Sequence, residues 1–119
     1  MKIITLSIKQ KNFDDIVSGV KKKEYREVAP TTDKKYLIID SEGYCKQNKK
    51  GDIIPRKYDA IRFYTGQMKG KRESALVQIK SAKCEIMVDE NEQPITYMFD
   101  DYEHTACRVV FSLGKILEI

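Results

Sequence analysis

Residues 19–26 read GVKKKEYR, and this stretch joins a predicted helix to a predicted strand. The preceding residues, 12–18, carry apolar side chains at helical spacing, and Asn12 is a suitable N-cap for that helix. Gly19 is predicted to end the helix, because glycine adopts the left-handed conformation at low cost. Residues 22–28 are predicted to form the strand, so only a tight turn separates the two elements.

The polar side chains of this stretch are predicted to converge. In a strand, Glu24 and Arg26 point to the same side, and Lys21 lies in the turn just before it. A guanidinium binds phosphate or a nucleobase edge, and a neighbouring carboxylate accepts from an exocyclic amine or holds the arginine in place. A desolvated lysine beside them can act as a base or a nucleophile. The alternative is an exposed strand face with an ordinary glutamate–arginine pair.

The remaining sequence predicts a mainly β (α+β) fold, with a small curled sheet or barrel and one or two short helices. Segments with alternating or β-branched residues predict further strands, at residues 2–8, 58–64, 73–87 and 104–113. A shift of the alternation near residues 81–83 predicts a bulge or bend. Residues 34–39 fit either a helical turn or a short strand, and residues 41–57 are predicted to form a long, weakly ordered loop.

Length and composition fit a single domain covering residues 1–119. The chain is 41% hydrophobic, and no apolar run approaches the length of about 20 residues that spans a bilayer. Residues 1–8 are too short and too polar for a secretory signal. The three cysteines have no paired spacing and are predicted to be free thiols. Together these features predict a cytoplasmic protein without a membrane partner.

The net charge of +4 hides an uneven distribution of charged residues. Residues 1–83 hold 20 lysines and arginines against 10 acidic residues, whereas residues 84–119 hold 2 against 8. A basic surface favours phosphate-bearing partners through charge attraction and counterion release, although lysines also serve solubility alone. The acidic segment 89–103 is interpreted as a solvated face, and it is the candidate surface for a protein partner.

Further candidate ligand-binding residues lie at and after the end of the strand predicted at residues 58–64. The ring of Tyr64 can stack a base, or it can pack while its hydroxyl is hydrated. The glycine-bracketed loop that follows is basic and fits either phosphate tracking or a solvated hairpin turn, with cations at Lys69, Lys71 and Arg72.

The single histidine does not predict a metal site. His104 and Cys107 are three residues apart, so they point to opposite sides of a strand and cannot easily share an ion. The acidic residues lack the regular spacing of a calcium loop. Neither a metal nor a cofactor is predicted.

Two motifs resemble the ASCH domain family, which is named for the homology region of the activating signal cointegrator. These are LSxxQ at residues 6–10, just before the predicted helix, and GxKxxExR at residues 19–26, which is the family's signature. The segments YDAIRFYTG at residues 58–66 and FSLGKILE at residues 111–118 are similar to those of bacterial single-domain members. The resemblance therefore covers nearly the whole chain.

The resemblance implies a PUA-like fold, a small β-barrel with helices at its rim. It also implies a cleft lined by Lys21, Glu24 and Arg26, with Ser7 and Gln10 beside them. The ligands that it implies are RNA or modified nucleosides, and some relatives hydrolyse acylated cytidine or act as nucleases.

Two functions are therefore predicted. One is an RNA- or nucleotide-binding module that uses the polar cleft. The alternative is a small amidohydrolase-type enzyme acting on an acylated or modified nucleoside, or a nuclease. In such an enzyme Lys21 would be the base or nucleophile, and Glu24 would transfer a proton.

Overall fold

A computed structural model describes residues 1–66 and 72–119. Within these ranges the chain is mainly β with two short helices, which confirms the predicted fold class. The elements in chain order are β1 Ile3–Ile8, α1 Gln10–Val17, β2 Lys23–Val28, α2 Asp33–Tyr36, β3 Ala60–Thr65, β4 Ser74–Ile86, β5 Thr96–Phe99, β6 Tyr102–Thr105 and β7 Cys107–Glu118. No helix in this described part of the chain is long and apolar enough to cross a membrane.

Five of the described strands form one mixed sheet in the order β1-β3-β4-β7-β2, and β5 pairs with β6 in a second sheet. β1 runs parallel to β3, and Ser7 lies opposite Tyr64 in that pair. β3 runs antiparallel to β4, with Tyr64 opposite Ser74. The carboxyl-terminal ends of β1 and β3 therefore lie together, beside the start of β4.

The chain divides into two compact units. Unit 1 contains Met1–Glu24, Lys57–Ser81 and Phe111–Ile119, and unit 2 contains Tyr25–Arg56 and Ala82–Val110. By sequence, unit 1 has 13 lysines and arginines against 6 acidic residues, a net charge of +7. Unit 2 has 9 against 12, a net charge of −3. The basic character of the chain therefore resides in unit 1.

The core of unit 1 is built largely from strand residues, and in β3 and β4 consecutive residues are buried. In β1 buried residues alternate with exposed ones, and the buried set is Ile4, Leu6 and Ile8. This alternation leaves Ser7 on the exposed side of the strand. α1 contacts β3 and buries two apolar residues of its own, Phe13 and Ile16.

Helix α1 begins two residues earlier than the sequence predicts. Its N-cap residue, Lys9, gives no side-chain cap, and Asn12 lies inside the helix, so the prediction of Asn12 as N-cap is wrong. The side-chain amide of Gln10 instead donates to the carboxylate of Asp14 at 2.9 Å, which supports the earlier start. At the other end Gly19 follows the helix with a φ of +83°, which confirms the predicted left-handed glycine.

In unit 2 the segment predicted as a loop has a defined backbone. α2 is a single helical turn of 4 residues, and it accounts for the first half of the ambiguous stretch 34–39. The chain then has no regular strand until β3, as predicted. Isolated antiparallel bridges nevertheless hold this segment, and they join Leu37 to Pro55, Ile39 to Cys45 and Gln47 to Ile53.

The strand predicted at residues 104–113 is divided in two, because Ala106 separates β6 from β7. The N–H of Ala106 donates to the carbonyl of Ile95 at 2.7 Å. The carbonyl of Ala106 accepts from the N–H of Met87 at 2.9 Å. Ala106 therefore bonds to a different segment on each side, and β6 belongs to the hairpin with β5.

The left-handed backbone at Gly19 predicts a specific cost for any side chain there. A Cβ at Gly19 would meet no atom within 4 Å, so the cost of Gly19→Ala is conformational. We expect this substitution to lower the free energy of unfolding by about 1–2 kcal/mol, measured by urea denaturation. Gly66→Ala is the matched control, because a Cβ also meets nothing there and no positive φ is involved. The free energy of unfolding of Gly66→Ala should stay within about 0.5 kcal/mol of the wild-type value. Equal losses in the two variants would contradict a conformational cost at Gly19.

Candidate nucleic-acid interface

The turn between α1 and β2 brings Lys21 and Glu24 together. The N–H of Lys21 donates to the carbonyl of Asp15 at 2.9 Å, so the chain folds back on the helix directly after Gly19. The ammonium of Lys21 then lies 3.3 Å from the Oε1 atom of Glu24. This part of the predicted convergence is confirmed.

Glu24 is the buried member of this ion pair. Its exposed fraction is 5%, and it is the one charged residue in the buried class among the described residues. A buried carboxylate needs compensating charge and hydrogen bonds, which makes the Lys21 contact more consequential than a surface pair. Arg26 lies two residues beyond Glu24 in β2, is half-buried and belongs to unit 2. Its role in the cleft stays a prediction.

A second polar group of unit 1 surrounds Arg72, and we call it the Arg72 cluster: Ser7, Tyr64, Thr65 and Arg72. The guanidinium carbon of Arg72 lies 5.1 Å from the centroid of the Tyr64 ring, within the range of a cation–π contact. The Nε–H of Arg72 donates to the carbonyl of Thr65 at 3.0 Å, and an Nη–H donates to the Ser7 hydroxyl at 3.3 Å. Three residues that the sequence predicted separately, Ser7, Tyr64 and Arg72, therefore contact each other.

Within the Arg72 cluster, Thr65 is held in place by two hydrogen bonds to the backbone of Glu73. Thr65 is 3% exposed, and its N–H donates to the carbonyl of Glu73 at 3.0 Å. Its hydroxyl accepts from the N–H of Glu73, also at 3.0 Å. These bonds join the end of β3 to the start of β4, so they set the position from which Arg72 extends. Neither residue stands out in the sequence, because the pairing of β3 with β4 across the loop is not encoded locally.

Gln10 has a structural role at this site. Its side-chain amide donates to the carboxylate of Glu73 at 2.6 Å as well as to that of Asp14. Both amide hydrogens are therefore used on carboxylates, and Gln10 connects α1 to the start of β4. Gln10 was predicted to lie beside the cleft residues, and both of its side-chain N–H donors are bonded to carboxylates of the protein.

The remaining candidate residues lie outside these two polar groups of unit 1 or outside the described residues. Lys69 and Lys71 lie outside the described residues, and only the ends of their loop, Gly66 and Arg72, are described. In unit 2 the ring of His104 stacks on Tyr97 with centroids 5.6 Å apart. Within residues 1–66 and 72–119, no group of three or more potential ligands is arranged to hold a metal ion.

The three thiols all lie in unit 2 and are half-buried. Burial raises the pKa of Cys45. A hydrogen bond from the Cys84 thiol lowers the pKa of Cys107 to about 7, against the opposing effect of burial. Cys107 is thus the most acidic thiol of the three, but it lies apart in sequence from the residues predicted to bind a ligand.

No protein-family model, curated protein or solved structure matches this chain. Its function is therefore inferred from its own residues.

The burial of Glu24 predicts that its lysine partner matters more for stability than a surface lysine does. We expect Lys21→Met to lower the free energy of unfolding by about 1–3 kcal/mol, because a buried carboxylate loses a partner. Lys11→Met is the matched control, since Lys11 pairs with the more exposed Asp15 at 3.4 Å. The control should change stability by less than about 0.5 kcal/mol. Urea denaturation measures the free energy of unfolding of both variants. Similar losses in Lys21→Met and Lys11→Met would show that the burial of Glu24 does not strengthen its ion pair.

Proposed function

We propose that unit 1 is an RNA- or nucleotide-binding module built around residues 19–24 of the GxKxxExR segment and the Arg72 cluster. The observation that carries this proposal is the exposed guanidinium of Arg72, which lies over the Tyr64 ring and is fixed by Ser7 and Thr65. The net charge of +7 on unit 1 favours a phosphate-bearing ligand over a cationic one. RNA is the favoured ligand because arginine planes and aromatic rings both stack unpaired bases.

The chemistry of Arg72 suits a single-stranded ligand. The contacts to Thr65 and Ser7 use two of its N–H groups, and a guanidinium has more donors than these. The remaining donors can bind a phosphate, and the face opposite Tyr64 can stack a base. Since the ring of Tyr64 supports one face of the guanidinium, the base would stack on Arg72 and not directly on the tyrosine.

Lys21 and Glu24 form a second polar group of unit 1 that the proposal uses. The ammonium of Lys21 is partly exposed and can approach a phosphate, while the buried carboxylate of Glu24 holds it in place. In the ion pair Lys21 acts as a cation, whereas a nucleophilic role requires the neutral amine. This contact favours binding over hydrolysis as the role of the pair.

The sequence motifs support the same proposal. LSxxQ and GxKxxExR resemble a family whose ligands are RNA or modified nucleosides, and we propose membership of that PUA-like family for this chain. In this proposal Ser7 acts by orienting Arg72, and Gln10 acts by fixing the start of β4.

Binding of RNA is expected to depend on Arg72. A fluorescein-labelled, mixed-sequence RNA of roughly 12 nucleotides should bind the protein in fluorescence anisotropy, with an affinity that falls as salt is raised. Arg72→Ala should weaken binding by about 1–3 kcal/mol, because both a stacking plane and a phosphate contact are lost. Arg72→Lys should recover part of the loss, since it restores the charge without the plane. Lys21→Ala should also weaken binding.

The controls separate a binding defect from a folding defect. Lys46→Ala removes an exposed lysine of unit 2 and should leave the affinity unchanged. Circular dichroism spectra should confirm that each variant is folded. If Arg72→Ala and Lys21→Ala bind RNA like the wild type, the proposal is wrong. Turnover of N4-acetylcytidine that is lost in Lys21→Ala would support the hydrolase alternative instead.

A further inference from the structure

A groove of about 670 Å³ lies within unit 1, next to Lys21 and outside the Arg72 cluster. It runs between the end of α1 and the strands β4 and β7. Its apolar lining comes from residues of these three elements that are themselves buried, Ile16, Val77 and Leu113. A groove with a buried apolar floor offers a surface on which a flat apolar group can lie.

The walls of this groove are cationic. Four lysines line it, and they are Lys21, Lys22, Lys80 and Lys115. No aspartate or glutamate is among the described residues that line it. The charge of the walls therefore favours an anionic occupant, and the floor favours one that also has planar groups.

Gly114 and Gln78 lie close together in the lining of the groove. A Cβ on Gly114 would clash with the Oε1 atom of Gln78 and come within 3.1 Å of the Lys80 side chain. The side chains of β4 thus lie close over β7 at this point, and a side chain at position 114 would require the Gln78 side chain to move. The Oε1 atom of Gln78 accepts from the N–H of Lys115 at 3.2 Å. That bond holds the side-chain amide of Gln78 in the lining of the groove, where its N–H groups are suitable donors.

We propose that this groove binds the sugar–phosphate backbone of single-stranded RNA, with Lys80 and Lys115 contacting phosphates. This inference rests on the proposed function of unit 1 and extends it to residues outside both sequence motifs. Four lysines in the lining of one groove match a chain of several phosphates better than a single compact anion. Bases that face inward would lie on the apolar floor beside Gly114.

The salt dependence of RNA binding tests this inference. The double variant Lys80→Gln/Lys115→Gln should bind the same labelled RNA with a smaller slope of log affinity against log salt. The expected decrease is about 1.4, since each phosphate contact to a single strand contributes about 0.7. Lys46→Gln/Lys49→Gln is the matched control, because it removes two exposed lysines of unit 2 and should leave the slope unchanged.

The outcomes distinguish this inference from the proposed function. If the slope of the groove variant is unchanged while Arg72→Ala still weakens binding, the groove inference is overturned and the proposed function stands. If neither variant affects binding, both are overturned. Competition with AMP tests whether the groove binds an extended RNA backbone or a single nucleotide. Full displacement of the RNA by AMP at the same total nucleotide concentration would overturn the inference, and failure to displace it would support it.

Discussion

The burial of one carboxylate constrains the candidate site. Glu24 is almost fully removed from solvent, and a buried carboxylate without compensation would strongly destabilise the fold. Lys21, in the turn before β2, supplies a compensating cation. Gly19 makes this possible, because its left-handed backbone ends α1 abruptly and lets Lys21 return to within 3.3 Å of Glu24. The first lysine of the run in GVKKKEYR is thus part of the folded structure, because it is the ion-pair partner of Glu24.

In the Arg72 cluster, as in the Lys21–Glu24 pair, a buried residue positions a cation. Buried Thr65 ties the end of β3 to the start of β4, and that connection sets where Arg72 begins. The guanidinium is then held by a ring, a carbonyl and a hydroxyl. Cations that are already fixed lose less conformational freedom on binding than mobile ones do. This difference is why Arg72 and Lys21, and not the exposed lysines at residues 46–50, are central to the proposed site.

Local signals in the sequence predicted much of this arrangement. The alternation of β1 and the glycine after α1 act within a few residues, and the Lys21–Glu24 contact follows from the turn between them. Contacts across the sheet were not predictable in this way. The parallel pairing of β1 with β3 brings Ser7 to Tyr64, and the bond from Gln10 to Glu73 links residues 63 positions apart. The start of α1 was misplaced for the same reason, because the partners of Gln10 are not visible in a capping pattern.

The most direct test of the account is a titration of isotope-labelled protein with single-stranded RNA, followed by backbone amide chemical shifts in NMR spectra. The account predicts that the amides that shift will cluster in unit 1, at Ser7, in the turn after Gly19, and around Tyr64 and Arg72. The hairpin of β5 and β6, which carries acidic residues, should remain unchanged. Shifts confined to that hairpin, or no shifts at RNA concentrations well above those of the protein, would contradict the account.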